Sequence, residues 1–259
     1  MKFFILTDLE GVAGTDLFSQ TRTSDAASKE SSMRQLTREV NACVEGIRAV
    51  YPDAAIDVWD GHGNGGILPE ELTDVRYIGR TPPSKPYYQL DGYTAMLFVG
   101  QHAMAGTINA PLNHTYSSTQ VMYYRLNGVF IGEFGARALV AGSQSVPTVF
   151  LAGDDKAALE AQMFIPEIET VVTKQGTGVE SAVHLDKAES CARIKEGTIR
   201  AMHRIGEIPP FTAIQPPYRF EVRHLAPFGA DWMAKRPHLT FIDEQTYVIE
   251  TDDISKLPF

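Results

Sequence analysis

The sequence predicts an α/β fold: a three-layer α/β/α core around a mostly parallel sheet, with a smaller α+β portion at its C-terminal end. Three observations carry this. Short apolar runs alternate with amphipathic segments from the N-terminus to about residue 173, the pattern of strand–helix–strand units. The runs Phe3–Thr7, Ala54–Trp59, Ala95–Gly100 and Val146–Ala152 are apolar throughout, as strands are when helices cover both faces of a sheet. From about Leu185 the texture changes to one helical segment, a cluster of prolines and short strand-like runs. The expected division is an α/β domain over residues 1–182 and a smaller α+β portion over 183–259.

Each element has its own signal. The first strand, Phe3–Thr7, ends abruptly in Asp8 and Glu10, with Gly11 and Gly14 beyond them. Thr15–Ser32 is rich in serine and threonine and reads as a mobile loop beside that strand end, with Asp16 and Asp25 as candidate caps. Met33, Leu36, Val40, Cys43, Val44 and Ile47 recur at spacings of three and four, an amphipathic helix stopped by Tyr51-Pro52-Asp53. The second strand, Ala54–Trp59, runs into the glycine-rich turn Asp60–Gly66. Pro69–Arg80 reads as a short helix and connector, followed by a stiff loop with prolines at 82, 83 and 86. The third strand, Ala95–Gly100, ends in Gln101-His102-Ala103, and a loop of small and polar residues leads to Asn113-His114.

Val121–Leu126 and Val129–Ile131 flank Asn127-Gly128, a strong hairpin signal. A helix begins near Ala136, and the strand Val146–Ala152 ends in Gly153-Asp154-Asp155, whose acids cap a helix over Lys156–Met163. Ile168–Thr173 is a further strand reaching Lys174. A helix over Ala188–Ile205 and strands at Tyr218–Val222, His238–Ile242 and Tyr247–Ile249 complete the chain.

Composition excludes several classes. At 259 residues, 44% hydrophobic and 21% charged, the chain has the make-up of a soluble globular protein. No apolar run approaches the roughly 20 residues of a membrane span, and the N-terminus lacks a signal-peptide core, so a cytoplasmic location is expected. The net charge of −9 is dispersed with no basic stripe, which argues against nucleic acid as a partner. Cys43 and Cys191 lie far apart with no CxxC; Cys43 reads as a buried small hydrophobe, and no structural disulfide is expected.

The chemistry gathers at strand ends, where open α/β sheets hold their ligands. Asp8 and Glu10, two apart, point the same way from an extended segment and repel unless a cation sits between them. His62 and His102 follow predicted strands, and Glu133 lies between glycines. Imidazoles with carboxylates suit zinc or a similar first-row ion. Asp8, Glu10, His62, His102 and Glu133 are too many for one tetrahedral site and fit two ions sharing a bridging carboxylate. His114 is left over for proton transfer or attack. Asp60, two before His62, is placed to hold that ring's other nitrogen, and Asn113 adjoins His114. Lys174, at a strand end, is either an exposed lysine or an aid to developing negative charge.

These residues resemble a known family, the DppA-type D-aminopeptidases of metallopeptidase family M55. The matching pieces are Asp8-Leu9-Glu10-Gly11, Asp60-Gly61-His62, Gly100-Gln101-His102-Ala103, Asn113-His114, Gly132-Glu133-Phe134-Gly135 and Ala152-Gly153-Asp154-Asp155, in order from residue 1 to about Gly178. The resemblance implies a metallo-aminopeptidase acting on short peptides with a free N-terminal amine, with D-amino acids as the expected residues. It implies that Asp8, Glu10, His62, His102 and Glu133 ligate a pair of zinc ions, with Asp8 bridging, and that His114 is the catalytic histidine and candidate nucleophile. It also implies a ring-shaped homo-oligomer, a decamer of two pentamers. Two departures from the family pattern bear on the site: the stretch from His102 to His114 is one residue longer, and Trp59 stands where a small polar residue is usual.

Two rival readings remain open on sequence. A haloacid-dehalogenase-like magnesium phosphatase fits the strand into Asp8 and the acids at Gly153-Asp154-Asp155, but Glu10 replaces the second aspartate and His62, His102 and Glu133 are left without a role. A non-catalytic, metal-stabilised, ring-forming binding protein would need a closed four-ligand site, whereas five candidates and a spare histidine look open. Gly61–Gly66 as a phosphate loop lacks the Gly-Lys-Ser/Thr that would complete it.

Overall fold

The computed structural model describes all residues, 1–259. The apolar runs form the centre of a seven-stranded sheet. Strand β1 (Lys2–Thr7) leads through α1 (Ala26–Val50) to β2 (Ala55–Asp60) and β3 (Arg76–Gly79). Then come β4 (Ala95–Gln101), the hairpin β5 (Val121–Leu126) and β6 (Val129–Phe130), α2 (Glu133–Ser143), β7 (Thr148–Asp154), α3 (Asp155–Phe164) and the antiparallel pair β8 (Glu169–Gly178) and β9 (Ser181–His184). The order is β3-β2-β1-β4-β7-β8-β9, parallel except for β9.

The chain moves leftward from β1 to β2 through α1 and rightward from β4 to β8 through α2 and α3. Right-handed crossovers therefore put α1 on one face and α2 and α3 on the other. The order reverses between β1 and β4. That is the switch point at which ligands sit in such sheets, and it places Asp8 and His102 side by side.

The remaining elements are α4 (Lys187–His203), β10 (Tyr218–His224), α5 (Ala230–Ala234), β11 (Thr240–Phe241) and β12 (Thr246–Thr251). They do not form a unit of their own. α4 packs on α1, β7 and β8, completing the three-layer core. β10, β11 and β12 extend the β5–β6 hairpin into a second, antiparallel sheet of order β11-β12-β10-β5-β6. The boundary expected between residues 182 and 183 thus cuts through both sheets, because the long β4–α2 connection sends out the hairpin on which the C-terminal strands pair. One continuous apolar cluster joins Phe3, Phe98 and Phe150 of the first sheet to Phe220 and Phe259 beyond it.

Local detail follows the chemistry of the turns. Asn127 and Gly128 both take positive φ (49° and 87°), the primed turn that matches strand twist. Asp25 caps α1 through the Ala27 amide, so the expected Thr15–Ser32 loop gives way to helix from Ala26 onward. The connector after Pro69 contains an edge strand, β3, rather than a helix beyond one short turn. Asp154 caps α3, accepting from the amides of Lys156 and Ala157. Cys43 is buried on α1, and both cysteines are free. No helix is long and apolar enough to cross a membrane.

Candidate metal centre

The loop after β1 is fastened to its neighbours by its backbone. The Asp8 amide donates to Val99 O at 2.9 Å and the Gly11 amide to Gly100 O at 2.7 Å. Gly100 holds φ +83°, and a Cβ there would stand 2.0 Å from Asp8 O, so only glycine permits this approach. From β8, Thr173 Oγ1 donates to Gly11 O at 2.6 Å, and the buried Lys174 ammonium donates to the carbonyls of Glu10, Val12 and Thr15. The two carboxylates of the loop are thereby held rigidly at the sheet's carboxyl edge.

Three imidazoles meet them. Each has its Nδ1 beside a backbone carbonyl: His62 with Gly65 O at 3.3 Å, His102 with Ala103 O at 2.9 Å and His114 with Leu112 O at 2.8 Å. A carbonyl only accepts, so the proton resides on Nδ1 and Nε2 faces the site. His62 Nε2 lies 3.2 Å from Glu10 Oε1; His102 Nε2 lies 3.4 Å from Asp8 Oδ2 and 3.5 Å from Glu133 Oε1; His114 Nε2 lies 3.7 Å from Glu133 Oε1. The donor atoms fall into two sets, Asp8–Glu10–His62 and His102–His114–Glu133, each within 4.8 Å. Glu10 Oε2 and His102 Nε2 are buried without a hydrogen-bond partner, the state of donor atoms directed at a cation.

The electrostatics agree. Burial and the neighbouring Glu10 push the Asp8 carboxyl up to about 6. Burial opposes charge on His62, but Glu10 overrides it and moves the imidazole up to about 9. His102 is likewise raised, by Asp8 and Glu133 against burial. Glu133 is held low despite its burial, chiefly by the Arg137 guanidinium and then by His102. A cluster that draws protons onto its imidazoles also draws a divalent cation.

The sequence-predicted ligands therefore come together, and His114 joins them. The three supporting candidates do other work. Asp60 does not hold the His62 ring; its carboxylate accepts from the Gly66 amide at 3.0 and 3.1 Å and from Ile67 at 3.4 Å, closing the glycine-rich turn. Asn113 bonds Gly106 N and Ala110 O, bracing the loop before His114. Lys174 is buried against carbonyls rather than exposed or aimed at a substrate.

The cleft over the cluster has a volume of about 280 Å³, and its walls include Trp59, Lys85, Tyr87, Tyr116 and Arg137. Of these, sequence reading picked out only Trp59. Arg137 pairs with Glu133 Oε2 at 2.8 Å from one helical turn on, and that i,i+4 spacing was its only sequence signal.

The family model described as D-aminopeptidase, of the M55 peptidases, matches residues 1–258. The chain belongs to the M55 family. It is similar to a D-aminopeptidase of Bacillus subtilis (strain 168), with 28% identity over 226 residues, covering 85% of this chain and 79% of that protein. Its fold is similar to the solved structure of the Zn-dependent D-aminopeptidase DppA from Bacillus subtilis, a self-compartmentalizing protease. There the TM-score is 0.86 and the identity 25%, covering 98% of this chain and 93% of that one. M55 membership makes the chain a peptidase and leaves the phosphatase and binding-protein readings without support.

Proposed function

We propose that the chain is a di-zinc aminopeptidase releasing D-amino acids from short peptides with a free N-terminal amine. The observation that carries this is the convergence of three carboxylates and three imidazole Nε2 atoms, in two sets, at the switch point of the sheet. Asp8, Glu10 and His62 would hold one ion and His102 and Glu133 the other, with Asp8 positioned to serve both. When bound, zinc supplies the positive charge that anchors an amine and polarises a peptide carbonyl.

The protein's own groups do the rest. His114 keeps its proton on Nδ1, and burial lowers its pKa, so Nε2 remains a free base for attack or proton transfer. Arg137 keeps Glu133 ionised and fixes its orientation. Trp59, Tyr87 and Tyr116 narrow the cleft and limit water.

The self-compartmentalizing relative supports assembly of this chain into a ring-shaped homo-oligomer, of which a decamer is the expected form. Two free cysteines accord with work in a reducing cytoplasm. The test is hydrolysis by the zinc-loaded protein of matched D- and L-alanyl dipeptides, followed by chromatography of the released amino acid. Release of D-alanine that chelation abolishes supports the reading. A protein that binds two zinc ions and cleaves neither series contradicts it.

A further inference from the structure

The catalytic scheme uses one nitrogen of Arg137 and leaves the rest of the cationic side of the cleft without a role. Arg137 is buried on α2 with its guanidinium carbon 5.8, 5.9 and 5.2 Å from the ring centroids of Trp59, Tyr87 and Tyr116. One nitrogen pairs with Glu133, but Nε and Nη1 are buried with no acceptor. Lys85 lines the same cleft, 5.3 Å from the Tyr116 centroid, and makes no ion pair in the protein. The Tyr87 and Tyr116 hydroxyls and the Trp59 indole N–H, on side chains of the same wall, are also buried without partners.

Idle buried donors are costly, of the order of 1–3 kcal/mol each, so a cluster of them without acceptors is suited to an incoming anion. Packing around its ammonium and then the Arg137 charge push Lys85 down to about 8, although the residue as a whole is exposed, and an anion between the two opposes that shift. A planar guanidinium beside an ammonium fits a carboxylate well. Two residues span about 7 Å of chain, and a cleft of about 280 Å³ has room for them.

We propose that Arg137 and Lys85 receive the substrate's free α-carboxylate, so that the cleft selects dipeptides over their amides. This deepens the aminopeptidase reading and rests on it for the position of the amine.

The experiment compares kcat/KM of the zinc-loaded protein for D-alanyl-D-alanine and D-alanyl-D-alaninamide, in the native chain and in Lys85→Met. The proposal expects the acid to be favoured tenfold or more, mainly through KM, and the ratio to fall towards one in the variant with zinc content unchanged. Equal use of acid and amide by the native chain overturns it while leaving the aminopeptidase reading intact. So does a preference that survives Lys85→Met, which would place the carboxylate elsewhere. Calorimetric titration with N-acetyl-D-alanine and its amide, which lack the free amine, gives a second readout independent of turnover. Should the protein cleave neither dipeptide, tighter binding of the acid, lost in Lys85→Met, still supports the carboxylate site, and equal binding of the two overturns it.

Discussion

The imidazoles of His102 and His114 lie face to face, ring centroids 4.0 Å apart and planes 13° from parallel. Two imidazolium cations so close would repel, and their surroundings separate them. Without a metal ion Asp8 and Glu133 favour a proton on His102, the position a cation takes when that ring serves as a ligand, whereas burial favours the neutral form of His114. One ring is thereby suited to hold a cation through Nε2 and the other to remain a free base.

From this, His114→Ala is expected to keep about two zinc ions per chain and to lose turnover by about a thousandfold, within the range of a general acid–base group. Zinc analysis and steady-state rates on a D-alanyl dipeptide check it together. Loss of one ion along with activity would make His114 a ligand of the second metal instead.

Lys174→Met should destabilise the protein by roughly 3 kcal/mol, because three buried carbonyls lose a charged donor and methionine offers none. Denaturant unfolding measures this, and zinc affinity should fall with it, since the same carbonyls belong to the loop that carries Asp8 and Glu10. An unchanged midpoint would show that the loop stands without Lys174.

Glu160→Gln should alter the pH dependence of stability. The Glu160 carboxylate accepts from the Met104 amide at 2.7 Å, its other oxygen has no partner, and burial pushes it up to about 7 from an ordinary 4.5. The folded chain therefore holds this proton more tightly than the unfolded one. The stability it contributes is full below about pH 4.5 and is lost as pH rises through about 7, a difference of about 3 kcal/mol. Glutamine keeps the acceptor for Met104 without titrating, so unfolding of the zinc-loaded variant at pH 5 and pH 8 should show a flatter difference than the native protein. Equal slopes would contradict the assignment.

Strands β1, β2, β4 and β7 were legible in the sequence because burial on both faces demands unbroken apolar runs. The five expected ligands were legible because carboxylates and imidazoles stood at the ends of those runs or between glycines. The second sheet was not, since pairing β5 with β10 joins residues about one hundred positions apart and no local pattern records it. Arg137 sits in a run of alanines, glycine and aliphatics that reads as helix core, and only the Glu133 side chain gives it a reason to be there. Asp60, Asn113 and Lys174 show the commonest error near a site. Buried backbone amides and carbonyls in tight loops need partners, and polar side chains close to the chemistry often serve them rather than the substrate.

A two-ion centre underlies every role proposed for these side chains, so the decisive measurement is the zinc content of the purified chain by plasma mass spectrometry, with Asp8→Ala prepared in parallel. The expected result is about two zinc ions per native chain, fewer than one in the variant and a matching loss of D-alanyl dipeptide hydrolysis. A native protein free of transition metal after zinc loading, or an Asp8→Ala variant that retains both ions, would contradict it.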